Sequence, residues 1–158
     1  MAEDRLGLCL NLKLNAISQY ANYDFNSFCM FNGKPLAASA DGIFELDSAQ
    51  TDHGALIDAF VELVSTDFGT SNPKRIRSAL IGYETSGYLV CKVKTDDNIE
   101  VVYEMQPDKT AQKKYAEKLP MSRHQRGVTW MFRVENRDGC DFSLDAIDLV
   151  LVLLHSGR

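Results

Sequence analysis

Two short segments of this sequence hold residue types that bind phosphate or metal ions. Residues 67–70 (Asp-Phe-Gly-Thr) resemble half of a phosphate-binding loop, but the lysine and the spacing of a P-loop are missing. Residues 96–98 (Asp-Asp-Asn) offer the oxygen ligands that calcium prefers, but the glycine and the distal glutamate of an EF-hand are missing. Both segments are therefore predicted to be turns.

Residues for nucleophilic or metal chemistry are present but scattered. A Ser-His-Asp system assembles in space and stays open at this level, although the sequence contains no nucleophile elbow. Zinc sites need ligands paired at close spacing, and the cysteines and histidines form no such pair. We therefore expect no enzyme activity, no metal and no cofactor, and we expect each cysteine to be a reduced, buried apolar side chain. The residues concerned are Cys9, Cys29, Cys91, Cys140, His53, His124 and His155.

A cluster of basic residues has two interpretations. Lysines commonly protect an exposed strand edge from pairing with another chain. The same charges would also form a docking patch that meets an acidic surface on a neighbouring subunit and orients it. The members of this candidate patch are Lys113, Lys114, Lys118, Arg123 and Arg126.

The elements that would position these residues are β-strands. Residues 99–106 place Ile99, Val101, Tyr103 and Met105 on one face, a period of two that only an extended chain can use. Similar runs follow one another along the sequence and are separated by Gly, Asn and Asp pairs. The pattern predicts about eight to eleven strands.

Turn residues divide the first third of the chain into short strands. Asn32 with Gly33 and Asp41 with Gly42 are two-residue hairpin signals. Aromatic residues at positions 20, 23, 25, 28 and 31 are expected to fill a core. The predicted strands cover residues 6–15, 17–20, 25–31, 35–38 and 43–46, followed by a polar loop over 47–54.

Longer strands are predicted for the rest of the chain. Residues 55–64 are assigned to a strand because of their β-branched content, and residues 74–83 and 88–94 to a hairpin. Residues 107–125 fit a short helix capped by Asp108 and fit equally well a charged edge strand with an exposed loop.

The C-terminal third alternates clearly again. Trp130, Phe132 and Val134 share one face and are expected in the core. The apolar positions then change parity between residues 142–144 and 147–153. A β-bulge near Asp145 would reconcile the two frames.

Length and composition fit one domain. The chain has 158 residues, of which 45% are hydrophobic, so a core can form without a metal or a disulfide. We expect an all-β fold, an antiparallel β-sandwich preceded by a short N-terminal β-meander, with little or no helix. The expected single domain spans residues 1–158, with the meander over 1–50 and the sandwich body over 51–158.

Charge and hydropathy limit the classes of partner. Seventeen basic and 22 acidic residues give a net charge of −5, which disfavours nucleic acid as the main partner. The N-terminus lacks the apolar run of a signal peptide, and no stretch approaches the ~18 apolar residues of a membrane span. We therefore expect no membrane span and a chain that is made and kept in the cytosol.

An ordered series of residues extends over most of the chain. Its members are Tyr20, Phe25, Asn26, Ser27, Gly33, Ala38, Asp41, Gly42, Ile43, Leu46, Asp67, Phe68, Gly69, Thr70, Lys74, Arg75, Trp130, Phe132, Asn136, Gly139, Phe142, Leu144 and Asp145. The series resembles that of a family of tailed-bacteriophage virion proteins, in which similar modules occur as small tail proteins and within larger tail-tip proteins. Residues 107–125 depart from the pattern.

The resemblance implies a non-enzymatic structural component of a phage tail, at the distal tip or baseplate, assembled in the host cytoplasm and retained in the virion. Its implied partners are other tail proteins and further copies of the chain in a ring. Gly42 would serve as a turn glycine, and Asn26 as a polar group that bonds nearby backbone. The implied fold-specifying residues are Phe25, Asn26, Asp41, Gly42, Asp67, Phe68, Gly69, Lys74 and Arg75.

Two alternatives from other classes stay open. The first is a carbohydrate-binding β-sandwich that recognises a host cell surface through exposed aromatics such as Tyr83, Tyr88 or Tyr115. The second is an enzyme that hydrolyses the cell wall with paired carboxylates or a metal in a cleft.

Overall fold

Every regular element in the described part of the chain is a β-strand. The computed structural model describes residues 6–21, 23–46, 51–52, 54–106 and 113–154. All of its strand pairs are antiparallel. The prediction of an all-β fold with little or no helix is therefore confirmed.

The chain divides into two compact units, Met1–Ala49 and Gln50–Arg158. That both belong to a single domain stays a prediction. The described strands of the first unit are β1 (Gly7–Asn11), β2 (Ala16–Tyr20), β3 (Ser27–Phe31), β4 (Lys34–Ser39) and β5 (Gly42–Glu45). Those of the second are β6 (Thr51–Asp52), β7 (Ala55–Leu56), β8 (Phe60–Glu62), β9 (Lys74–Thr85), β10 (Leu89–Thr95), β11 (Glu100–Met105), β12 (Lys113–Pro120), β13 (Trp130–Asn136) and β14 (Phe142–Leu153).

The N-terminal unit contains a hairpin and a meander. Strands β1 and β2 pair with each other, and β3, β4 and β5 form a three-stranded sheet in chain order. Asn32 and Gly33 join β3 to β4 with φ angles of 48° and 77°. These left-handed angles suit an Asn-Gly pair, and the predicted two-residue turn is confirmed.

The second hairpin turn of this unit lies one residue earlier than predicted. Ala40 and Asp41 form the loop, and Gly42 is already the first residue of β5, opposite Ser39. The Asp41 backbone N–H donates to Ser39 Oγ at 3.0 Å. This local bond stabilises the turn formed by Ala40 and Asp41, which precedes Gly42.

The C-terminal unit has the architecture of a β-sandwich. One sheet has the order β11-β10-β13-β8, the other the order β12-β9-β14, and β6 pairs with β7 separately. Both large sheets contribute to one hydrophobic cluster, in which Trp130, Phe132 and Val134 are buried as predicted. Other buried members of this core are Ile76, Ala79, Ile81, Tyr83, Leu89, Cys91, Val93, Met105, Leu119 and Met121.

Two β-bulges adjust the pairing of β9 with β14. Leu144 pairs with Tyr83 and Ala146 with Gly82, so Asp145 is an extra residue on β14. The bulge predicted at this position is confirmed. The second bulge was not predicted: Val150 pairs with Ser78 and Leu151 with Ile76, which leaves Arg77 as an extra residue on β9.

The predicted strand over residues 55–64 is wrong in its length. Short strands β7 and β8 are separated by residues 57–59, whose backbone groups bond to a side chain. Asn136 Nδ2 donates to the Ile57 carbonyl at 2.9 Å, and Asn136 Oδ1 accepts from the Ala59 N–H at 2.8 Å. Because these backbone groups bond to the Asn136 side-chain amide and not to a neighbouring strand, the strand is interrupted.

Residues 113–120 form an edge strand, not the helix that Asp108 was considered to cap. β12 pairs with β9 along its whole length, from Lys113 opposite Thr85 to Pro120 opposite Ser78. Tyr115 and Leu119 pack on the core from this strand. Residues 107–112, including Asp108, lie outside the described part of the chain.

The cysteines are all free, as expected, but the burial prediction is correct for only part of them. Cys91 is buried and Cys140 is half-buried, whereas Cys9 and Cys29 are exposed. The exposed pair belongs to the N-terminal unit, in whose described residues Ala37 is the only buried apolar residue. That unit does not contain enough core to enclose them.

Candidate docking groove

A groove opens on the outer face of the β12-β9-β14 sheet, at the point where β12 ends. Pro120 is the last residue of β12, and it lies opposite Ser78. The Met121 N–H still donates to the Arg77 carbonyl at 3.2 Å, and the chain then leaves the sheet. β9 extends past this point towards its first residue, Lys74, so Arg75 and Arg77 have no paired β12 residue beside them.

Basic and apolar side chains share the lining of this groove, which has a volume of about 1020 Å³. Arg75 and Arg77 come from β9, where residues two apart share a face. The apolar part comes from β14, on which Val152 pairs with Arg75 and Val150 with Ser78. The lining includes Arg75, Arg77, Lys118, Arg123, Val150 and Val152, with Pro120 and Met121 at the end of β12.

Buried anchors hold the loop that supplies Arg123. Gln125 is almost fully buried, and its Nε2 donates to the Val93 carbonyl at 2.8 Å. The Ser122 N–H donates to the Tyr103 hydroxyl at 2.8 Å. Burial raises the pKa of Tyr103 against the opposing effect of this bond, so the phenol stays neutral. Arg123 is exposed, and its loop is held by the bond of Ser122 before it and the bond of Gln125 after it.

The electrostatics of the groove are one-sided. None of the described residues that line it carries a carboxylate. Within the described residues, no ion pair joins Arg75, Arg77, Lys118 or Arg123 to an acidic side chain. Arg75 Nε is buried and has no hydrogen-bond acceptor there. On a chain of net charge −5, these cations therefore form a local basic cluster that no described carboxylate pairs with.

The structure brings together only part of the predicted docking patch. Lys118 and Arg123 line the groove, whereas Arg126 is exposed outside it. Lys113 and Lys114 begin β12, and their side chains lie outside the described part.

Sequence reasoning did not assign Arg75 or Arg77 to a docking site. An Arg-x-Arg pair in a predicted strand was the available signal, because residues two apart share a face. Arg75 was instead assigned to the fold-specifying motif. Its membership of that motif is untested, and the structure places its side chain in the groove.

Other motif residues make local contacts. Asp67 Oδ1 accepts from the Gly69 N–H at 2.9 Å in a turn where Phe68 has a φ of 52° and Gly69 a φ of 75°. The predicted turn at residues 67–70 is confirmed, and Phe68 packs against the core. The fully buried Lys74 donates from Nζ to the carbonyls of Thr70 and Val128, which ties two loops together.

The motif residues of the N-terminal unit also lie in local structure. Asn26 donates through its backbone N–H to the Ala38 carbonyl at 2.9 Å. Phe25 contacts Phe44, with ring centroids 5.7 Å apart. Gly42 has a φ of 146°, in a region that favours glycine, at the start of β5.

The segment at residues 96–98 is a turn that serves the fold. Asp96 Oδ1 accepts from the Val128 N–H at 2.9 Å, and Asn98 adopts a left-handed φ of 57°. In the described part of the chain, no group of three or more His, Cys, Asp or Glu side chains is arranged to hold a metal ion. Burial raises the pKa of the Cys91 thiol to about 12, so this buried cysteine is not a nucleophile at neutral pH.

Two of the three tyrosines considered for sugar binding are not exposed, contrary to the prediction. Tyr83 is fully buried, and its hydroxyl donates to Glu117 Oε2 at 2.8 Å. Tyr115 is half-buried because its ring stacks on Tyr83, with centroids 5.5 Å apart. Tyr88 alone of the three is exposed, at 42%.

Comparisons of the chain with protein-family models, with curated proteins and with solved structures find no match. Among the described residues, there is no helix of the length and hydropathy needed to cross a membrane. Inference about function therefore depends on the residues and geometry of the chain itself.

Proposed function

We propose that this protein is a non-enzymatic structural component of a bacteriophage tail, at the distal tip or baseplate, and that it acts by protein–protein assembly. The observation that carries the proposal is the exposure of apolar side chains in the N-terminal unit. Leu8, Ile17 and Ile43 are 70%, 71% and 77% exposed, and Ala37 is the only buried apolar residue among the unit's described residues.

The described residues of the N-terminal unit bury little apolar surface. Its core consists of aromatic contacts, such as Tyr23 with Phe25 at a centroid distance of 4.8 Å. Domains of this size are marginal even when they are well packed. Large exposed apolar surfaces on proteins mark sites of interaction. Neighbouring subunits that cover these side chains would supply the missing burial.

The assignment to a phage tail is supported by the ordered residue series of the sequence. The rigid β-sandwich of the second unit suits a part that repeats around a symmetric ring. In this proposal the partners are other tail proteins and further copies of the chain. The particle is assembled in the host cytoplasm.

Molar mass by light scattering, over a range of concentrations and at low and moderate salt, tests the assembly part of the proposal. We expect a stable trimer or hexamer. Replacing Ile17 and Ile43 with serine should lower the mass towards that of one chain, because both side chains are exposed on the N-terminal unit. Val102→Ser, at an exposed apolar position of the sandwich, is the matched control.

Mass spectrometry of purified particles of the phage that encodes the chain tests the tail part. We expect several copies of the chain in each virion. A monomer at every concentration, together with absence from the particles, would contradict the proposal. Sugar binding that is lost in Tyr88→Ala would then favour the carbohydrate-binding alternative.

A further inference from the structure

We propose that the groove at the end of β12 binds an extended, acidic segment of a partner protein, whose carboxylates contact the groove cations while its apolar side chains rest on the valines of β14. The proposal rests on the assembly function above and names the chemistry of one partner. It involves a different surface from the exposed residues of the N-terminal unit.

Among the described residues, no acidic side chain forms an ion pair with the cations of the groove. Guanidinium groups form paired, charge-assisted hydrogen bonds with carboxylates, and Arg75 and Arg77 project from the same stretch of β9. Arg75 Nε is buried without an acceptor among the described residues, an arrangement that costs free energy in the unbound chain. A partner carboxylate would pair with the guanidinium groups that line the groove.

The apolar part of the groove selects a peptide over a small anion. Val150 is 51% exposed beside the arginines, and Val152 and Met121 extend the apolar lining. A phosphate or sulfate ion would leave these side chains uncovered. In an extended peptide, side chains two residues apart lie on the same face, so a segment with acidic and apolar residues on its groove-facing positions can contact both parts of the lining.

The same lining disfavours nucleic acid. Single strands are usually held by aromatic side chains that stack on the bases, and none of the described residues of the groove lining is aromatic. The net charge of −5 would also oppose a phosphate backbone outside the groove. An acidic segment short enough to stay within the groove would meet mainly the positive charge of its lining.

The backbone that carries the groove arginines is held in place by the fold. Arg77 is the extra residue of a β-bulge in a central strand, and Arg123 lies in a loop anchored by the buried Gln125. A site that is already ordered loses little entropy on binding. We therefore expect binding without a change of fold.

Fluorescence anisotropy with a labelled peptide of about eight residues tests the inference on the full chain. The peptide consists of Glu-Glu-Val-Val repeats, so that each face of the extended peptide carries both residue types. We expect saturable binding that weakens about tenfold in Arg77→Gln, the loss typical of one charge-assisted pair. Arg126→Gln, at an exposed arginine of the same loop region but outside the groove, should bind like the wild type. Lys118→Gln is the second groove variant should Arg77→Gln change the circular dichroism spectrum.

Companion probes separate the alternatives. Replacing valine with serine in the peptide should weaken binding, and replacing glutamate with lysine should abolish it. No binding of the glutamate-valine peptide, equal losses in Arg77→Gln and Arg126→Gln, or tighter binding of oligothymidylate would each overturn the inference. None of these results alters the molar mass or the particle composition, so failure here is distinguishable from failure of the proposed function.

Discussion

The Lys92 ammonium lies 2.5 Å from Glu135 Oε1, on a sheet face where Lys92 is paired with Arg133. Arg133 Nε contacts the other carboxylate oxygen of Glu135 at 3.1 Å. Burial alone would raise the pKa of Glu135, but the bonds from Lys92 and Arg133 outweigh it and hold the pKa below the usual 4.5. One carboxylate thus bridges β10 and β13.

This bridge predicts a contribution to stability that depends on pH. Because the pKa of Glu135 is lower in the folded than in the unfolded chain, the contribution is complete above the unfolded value. It is lost as the pH falls through the folded value. Urea unfolding at about pH 6 and about pH 3 should show a smaller acid-induced loss in Glu135→Gln than in the wild type, by at most about 1 kcal/mol for this partly exposed group. Glu100→Gln, on an exposed strand end, should lose as much as the wild type.

Lys74→Met should destabilise the fold. The substitution removes the ammonium that bonds the carbonyls of Thr70 and Val128 and leaves both without that donor. Unsatisfied buried carbonyls cost about 1–3 kcal/mol. Chemical denaturation measures the loss, and Lys94→Met at a half-buried strand position is the control. Equal stability of Lys74→Met and wild type would show that the buried lysine is not needed.

Asn136→Ala should loosen the segment between β7 and β8. The amide bonds Ile57, Ala59 and Cys140 through backbone groups at 2.8–2.9 Å. We expect a loss of about 2 kcal/mol and faster hydrogen exchange at residues 57–60. Asn72→Ala, at an exposed loop position, should change neither quantity. Unchanged exchange in Asn136→Ala would contradict the role given to this amide.

Gln125→Ala should lower the affinity of the groove for the peptide, although Gln125 does not line the groove. The side chain bonds the carbonyls of Val93 and Ile99 and holds the loop that carries Arg123. We expect a loss of stability of about 1–2 kcal/mol and weaker binding of the glutamate-valine peptide. Peptide affinity measured below the unfolding temperature separates the two effects. Wild-type affinity in a destabilised Gln125→Ala would mean that the loop position does not depend on this anchor.

Lys118→Glu should impair incorporation into particles without unfolding the chain. The residue lines the groove from an exposed position on an edge strand, so charge reversal repels an acidic partner at little cost to the core. Arg126→Glu makes the same change of charge outside the groove and tests the wider patch predicted from sequence. Equal incorporation of both variants and the wild type would reject the docking role of these charges.

Local chemistry explains which parts of the fold could be read from the sequence. The Asn32-Gly33 pair forms its turn because both residues tolerate left-handed angles. The change of parity after Leu144 required an extra residue, and the bulge at Asp145 supplies it. The continuous strand expected over residues 55–64 is interrupted because the side chain of Asn136, far away in sequence, bonds the Ile57 carbonyl and the Ala59 N–H.

By itself the sequence determined the strand class, most turns and the inward face of β13, because each depends on neighbours a few residues apart. Only the tertiary structure decided where the basic side chains meet. Arg75 and Arg77 lie beside Lys118 because β12 pairs with β9 and ends opposite Ser78. That register depends on contacts between residues some forty positions apart, which no local pattern specifies.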